Sequence, residues 1–141
     1  MAERWELVPH QGLRSGDVEV LLRTSREELR AALAGTFPAP DENRPFEDQY
    51  SNEHTTLFLR YADGVLTSIL FVNGSLQYDG LELYATTFGA LGPALAARNL
   101  SVREPVEFDD GMDVPGLGVN IATREDVGSD GDEIEWVALW A

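Results

Sequence analysis

The chain has 141 residues, 43% of them hydrophobic, with no cysteine and a formal net charge of −15. That length suits one compact domain over residues 1–141, and the apolar share argues against disorder. The missing cysteines exclude disulfides, thiolate metal sites and cysteine nucleophiles, while the charge disfavours nucleic acid and anionic membranes.

The N-terminus, "MAERWELVPH", has no basic region followed by an apolar core, so no secretion signal is predicted and the expected location is the cytoplasm. "TSREELRAALAG", residues 24–35, predicts a helix. Thr24 is placed as its cap with Glu27 completing a capping box, and Leu29, Ala32 and Leu33 form an apolar face. Gly35, Pro38 and Pro40 end it, and "FPAPDENRPFEDQYSNEH" reads as a long connection. "TTLFLRYA" and "VLTSILFV" follow as strands rich in β-branched and aromatic residues. Between and after them come Asp63-Gly64, Asn73-Gly74 and Asp79-Gly80, dipeptides suited to type I′ turns, so residues 61–84 read as an antiparallel meander. The longest apolar run, Leu57 to Val72, is interrupted by Arg60, Asp63 and Gly64 and falls short of the ~20 residues a membrane span needs.

The pattern from Gly12 returns from Ser75. Leu13 matches Leu76, Val18-Glu19-Val20 matches Leu81-Glu82-Leu83, and Thr24 matches Thr87, at an offset of 63 residues. With one residue deleted, Leu29, Ala32 and Leu33 match Leu91, Ala94 and Leu95. "LFLRYADG" then pairs with "VNIATRED". These spacings predict two similar units, about 12–74 and 75–141, meeting at Asn73-Gly74. Units so small bury their sheets only by sharing a core. The expected fold class is α+β, an antiparallel sheet with a few helices packed on one face, built from two repeats. This tandem order of strand, capped "TSREELRAAL" helix and antiparallel sheet resembles the beta-lactamase inhibitory proteins and related small bacterial domains. The resemblance implies a scaffold that can serve as a protein-binding module. It carries over no target and no binding residue, and it departs from those secreted, disulfide-stapled inhibitors in having no cysteine.

Signals for catalysis are weak. His10 and His54 have no metal-ligand spacing, and each reads as a loop residue. "DVGSDGDE" lacks the ligand spacing of a calcium loop, and "GLGV" does not open a helix as a phosphate cradle would. The expectation is therefore no catalytic residue, no metal and no cofactor. Charge is the more informative feature. Between Glu104 and Glu135 stand eleven acids against Arg124 alone, a local balance of −10. Asp109, Asp110, Asp113, Asp126, Asp130, Asp132, Glu133 and Glu135, joined by the aromatic Trp136, form the candidate partner-binding set. Trp136 and Trp140 share one face of a regular strand.

Acids around an aromatic anchor suit a non-enzymatic module that masks a basic protein surface, as immunity-type inhibitors of toxic nucleases do. Two alternatives stand beside it. One is a small-ligand binder or enzyme using a pocket between the repeats and the loop residues Arg44, Glu47, Asp48, Tyr50 and His54. The other is a structural homo-oligomer joined at a strand edge.

Overall fold

The computed structural model describes residues 4–41, 44–106 and 110–141. In chain order the elements are β1 (Arg4–Val8), β2 (Gly12–Ser15), β3 (Val18–Leu21), α1 (Arg26–Leu33), β4 (Glu47–Ser51), β5 (Thr56–Ala62), β6 (Val65–Val72), β7 (Ser75–Tyr78), β8 (Leu81–Glu82), α2 (Phe88–Ala97), β9 (Met112–Val114), β10 (Val119–Thr123) and β11 (Ile134–Trp140). The class is α+β, mostly strand.

The turn chemistry sets the local geometry. Asp63 and Gly64 take φ of 53° and 78°, and Asp79 and Gly80 take 48° and 80°. Positive φ at both central residues closes the β5–β6 and β7–β8 hairpins. Asn73 and Gly74 share that sign at 62° and 109°, but no hairpin results, because β6 and β7 lie in different sheets. The expected continuous meander is therefore broken here. A Cβ on Gly74 would sit 2.6 Å from Thr55 Oγ1 and 2.9 Å from the His54 carbonyl, so the crossing admits glycine alone without a shift.

Among the described residues there are two sheets rather than the single one expected. The first runs β3, β2, β1, β7, β8, and the second β4, β5, β6, β11, β10, β9. All pairings are antiparallel except β1 with β7, where Trp5 lies beside Leu76. The second sheet is joined at its centre by β6 and β11, with Phe71 opposite Val137 and Ile69 opposite Leu139. Alternation along a strand tells which side chains share a face, not which strand lies alongside.

Helix α1 is capped by Ser25, whose hydroxyl accepts from the Glu28 amide at 3.2 Å, and not by Thr24 as the sequence suggested. Ser25 bridges to Val65, and the Arg26 amide donates to the Gly64 carbonyl, so the hairpin turn positions the helix start one residue later. Thr87 caps α2 as expected, accepting from the Ala90 amide at 3.3 Å. Leu29 and Leu33 of α1 and Leu91 and Leu95 of α2 enter one buried cluster with Trp5, Leu13, Leu76, Leu59, Phe71, Ile121 and Leu139. Both sheets and both helices thus contribute to a shared core.

The segment assigned as a connection contains β4. Its residues "EDQYS" are polar, yet Asp48 and Tyr50 are buried while Gln49 and Ser51 are exposed. The period of two is real, but its inward positions hold residues not normally read as core.

Candidate functional site

Along β5, Leu57, Leu59 and Tyr61 are buried, so Phe58 and Arg60 project from the opposite, outer face. Register carries that face across the whole second sheet, through Gln49, Phe58, Leu70, Ala138, Asn120 and Asp113. Ala138, Asn120 and Asp113 are buried, so the solvent-open part of this face lies over β4, β5 and β6. The solvent side of an antiparallel sheet is ordinarily polar. Here Phe58, Leu70 and Trp136 line a cleft of ≈ 280 Å³ with Glu47, Arg60 and Ser68. A second hollow of ≈ 540 Å³ adjoins it, lined by Arg44, Phe46, Glu47, Arg60, Tyr61 and Thr67 among others. The two share Glu47 and Arg60. Phe46 at the rim is 72% exposed, unusual for an aromatic side chain.

Trp136 does belong to this face. Its indole Nε1–H donates to Asn120 Oδ1 at 2.8 Å, and Asn120 Nδ2 donates in turn to Asp113 Oδ1 at 3.0 Å and to the Asp110 carbonyl at 3.1 Å. These bonds orient the indole, and they consume Asp113. That carboxylate is 1% exposed, with its other oxygen accepting from the Val106 amide at 3.0 Å. Asp113 is a buried acceptor and is withdrawn from the partner-binding set.

The remaining acids scatter. Asp109 lies outside the described residues, and the Asp110 and Asp130 side chains are exposed. Asp126 accepts from the amide and hydroxyl of Thr123, closing the β10–β11 turn. Asp132 accepts from the Gly89 amide at 2.7 Å, at the start of α2. Glu133 and Glu135 line a separate cleft of ≈ 590 Å³ with Tyr84 and Arg124. Glu135 lies at the β10–β11 register shift and lines this cleft, whereas Trp136 lines the first one. Among the described residues no continuous acidic ring surrounds Trp136, since turn and capping geometry take up several of the carboxylates. Arg60, Phe58 and Leu70, which line the cleft, are not among the residues the sequence singles out. The signal for them was the alternation of Phe58 and Arg60 against Leu57, Leu59 and Tyr61.

Behind this face lies a buried charge cluster. Asp48, 0% exposed, receives Arg26 through Nε at 3.1 Å and Nη2 at 2.6 Å. Arg30 approaches the same carboxylate through Nε at 3.0 Å and Nη2 at 2.8 Å. Burial alone would raise the Asp48 pKa, but hydrogen bonds and charge from the two guanidiniums outweigh it and hold it below its ordinary value. Burial pushes the Tyr50 phenol up to about 12 and raises that of Tyr61 as well. The Tyr61 hydroxyl is buried without a hydrogen-bond partner, and its ring lies 5.1 Å from the Arg26 guanidinium carbon. An ionised, donor-saturated carboxylate between protonated tyrosines suits a structural pin rather than proton transfer. Arg26 also donates to the carbonyls of Arg44, Pro45 and Glu47 at 2.7, 2.9 and 3.2 Å. Arg26 therefore ties the cluster to the rim that carries Phe46.

The loop set expected for a ligand site is accordingly divided. Asp48 and Tyr50 face inward, Arg44 and Glu47 line the outer hollow, and His54 lies 3.4 Å from Glu53 outside it. His10 sits in a turn with φ of 64°, its Nε2 3.2 Å from the Gly116 carbonyl. Among the described residues, no group of three or more His, Asp or Glu is arranged to hold a metal, and no helix is long and apolar enough to cross a membrane. Comparisons with protein-family models, curated proteins and solved structures find no significant match to this chain.

Proposed function

We propose that this chain is a non-enzymatic protein-binding module of the immunity or inhibitor type, acting in the cytoplasm on a basic partner protein. The observation that carries the reading is the aromatic outer face of the second sheet, with Phe58, Leu70 and Trp136 around one cleft. Trp, Phe and Arg together are the composition of interface hot spots. The charge of −15 speeds approach to a basic surface, while the apolar cleft sets how long the complex lasts. Exposed Asp110, Asp126 and Asp130 serve the first role, without touching the cleft.

The scaffold is read as a tandem of two α+β units. Hairpin, helix and three strands occur in the same order over 12–72 and 75–140, and β6 and β11 meet at the centre of the second sheet. That arrangement supports the likeness to beta-lactamase inhibitory proteins at the level of a binding scaffold only.

The test is affinity capture from host lysate at low and high salt, comparing the native chain with Leu70→Glu, whose fold is checked by near-UV circular dichroism. One basic protein retained at low salt, weakened by salt and lost with the variant is expected. Equal capture by both chains, or none at any salt, would end this reading.

A further inference from the structure

The described residues lining the two hollows hold a charge imbalance opposite in sign to that of the whole chain. Glu47 is approached by two arginines, Arg44 Nη1 at 3.7 Å and Arg60 Nε at 3.8 Å. Both distances exceed hydrogen-bonding range, so the pairs are loose and neither guanidinium spends a donor on Glu47. The exposures differ accordingly: 49% for the Arg44 side chain and 72% for Arg60, against 22% for Glu47. Among the described residues lining the two hollows, two cations share one carboxylate, which leaves one positive charge beside the Phe58, Leu70 and Trp136 cleft.

The two hollows meet at Glu47 and Arg60, with Phe46 on one side and Trp136 on the other. Their lining spans β4, β5, β6 and β11, about 14 Å at the ~4.8 Å spacing of adjacent strands. An extended peptide of about four residues has that length. The backbone at Phe46 is held in place. Its carbonyl accepts from the Tyr61 amide at 2.8 Å, and Arg26 holds the carbonyls of Pro45 and Glu47 on either side. An aromatic side chain mounted on a fixed backbone gives up little entropy on binding.

We infer that this groove takes an extended segment of the partner protein in which a carboxylate adjoins an aromatic side chain. The carboxylate bridges Arg44 and Arg60, and the aromatic ring enters the Phe58, Leu70 and Trp136 cleft. The inference rests on the protein-binding reading and adds a local requirement to it. Long-range attraction selects a basic partner, and the groove selects an acidic-aromatic segment within that partner, which sets the register of the complex.

The experiment titrates the full ¹⁵N-labelled chain with Ac-Gly-Asp-Phe-Gly-NH₂ and with its Asn counterpart. Shifts at Phe58, Arg60, Leu70 and the Trp136 indole are expected, with the Asp peptide bound about threefold to fivefold more tightly, as suits an exposed ion pair. Arg60→Gln, at a well-exposed position, should erase that preference and leave the spectrum otherwise native. Equal affinity for the two peptides, shifts confined to other faces, or no shift at millimolar peptide would overturn the inference. A chain that captures its basic partner yet treats the peptides alike loses this subsite and keeps the masking function. A preference for Asp in a chain that captures nothing supports the subsite and removes the masking function.

Discussion

Asp48 and Glu82 are both carboxylates held below their ordinary pKa, one in each half of the chain, and they are held by different means. Asp48 is gripped by two guanidiniums from α1, 22 and 18 residues away in sequence. Glu82 is held by its neighbours: the Ser75 hydroxyl and the amides of Leu76, Tyr84 and Ala85. Burial pushes the Glu82 carboxyl up, and these hydrogen bonds outweigh it. The first arrangement joins a helix to a strand and stiffens the rim of the outer face of the second sheet. The second closes a local turn and leads the chain toward α2. A carboxylate paired with distant charges thus shapes tertiary structure, whereas one satisfied by nearby amides shapes only its own loop.

Removing each in turn sharpens that contrast. Asp48→Asn should be the most damaging change, because it leaves two guanidiniums beside a neutral amide. A loss of about 3 kcal/mol is expected from urea unfolding, with Phe46 and Glu47 amide shifts displaced as the rim loosens. Glu82→Gln should cost about 2 kcal/mol, since an amide oxygen accepts fewer of the four donors, and its shift changes should stay within residues 75–85. A pH series separates the pair further. Both carboxyls have folded pKa values lowered from ordinary values of 3.8 for Asp48 and 4.5 for Glu82. Their stabilisation is complete above those values and is lost as pH falls through the lowered folded ones. Each variant should therefore flatten part of the acid limb of the stability curve, and an unchanged limb would refute the assigned shift.

Asp132→Ala tests the weaker tether of α2. Its contact with the Gly89 amide is exposed, so a loss of about 1 kcal/mol is expected in thermal unfolding, with the rim around Phe46 unaffected. Phe46→Ala should have the smallest effect on stability, within about 0.5 kcal/mol, because the ring is mostly in solvent. Its effect belongs to partner capture, which should weaken while the melting temperature stays put.

Much of the secondary structure was legible in the sequence. Asp63-Gly64 and Asp79-Gly80 close the hairpins they predict, and the helix of residues 24–35 appears one residue later than its expected cap. β4 was hidden because its inward positions hold Asp48 and Tyr50, which read as polar until Arg26 and Arg30 are seen to meet them. The acidic set was legible as composition only. Charge along a chain does not reveal that Asp113 accepts from the Val106 amide in a buried position, that Asp126 satisfies the nearby Thr123 amide, or that Asp132 satisfies the Gly89 amide 43 residues away.

What the sequence alone determined is what short-range physics controls: α+β class, turn positions, the amphipathic face of α1, and, by composition, a net charge of −15. Tertiary structure decided the rest. It placed β1 in parallel beside β7, sent β6 and β7 into different sheets, and gathered Phe46, Phe58, Arg60, Leu70 and Trp136 onto one face. Strand pairing and shared faces depend on contacts between residues far apart in the chain, and an alternating pattern is compatible with many such pairings.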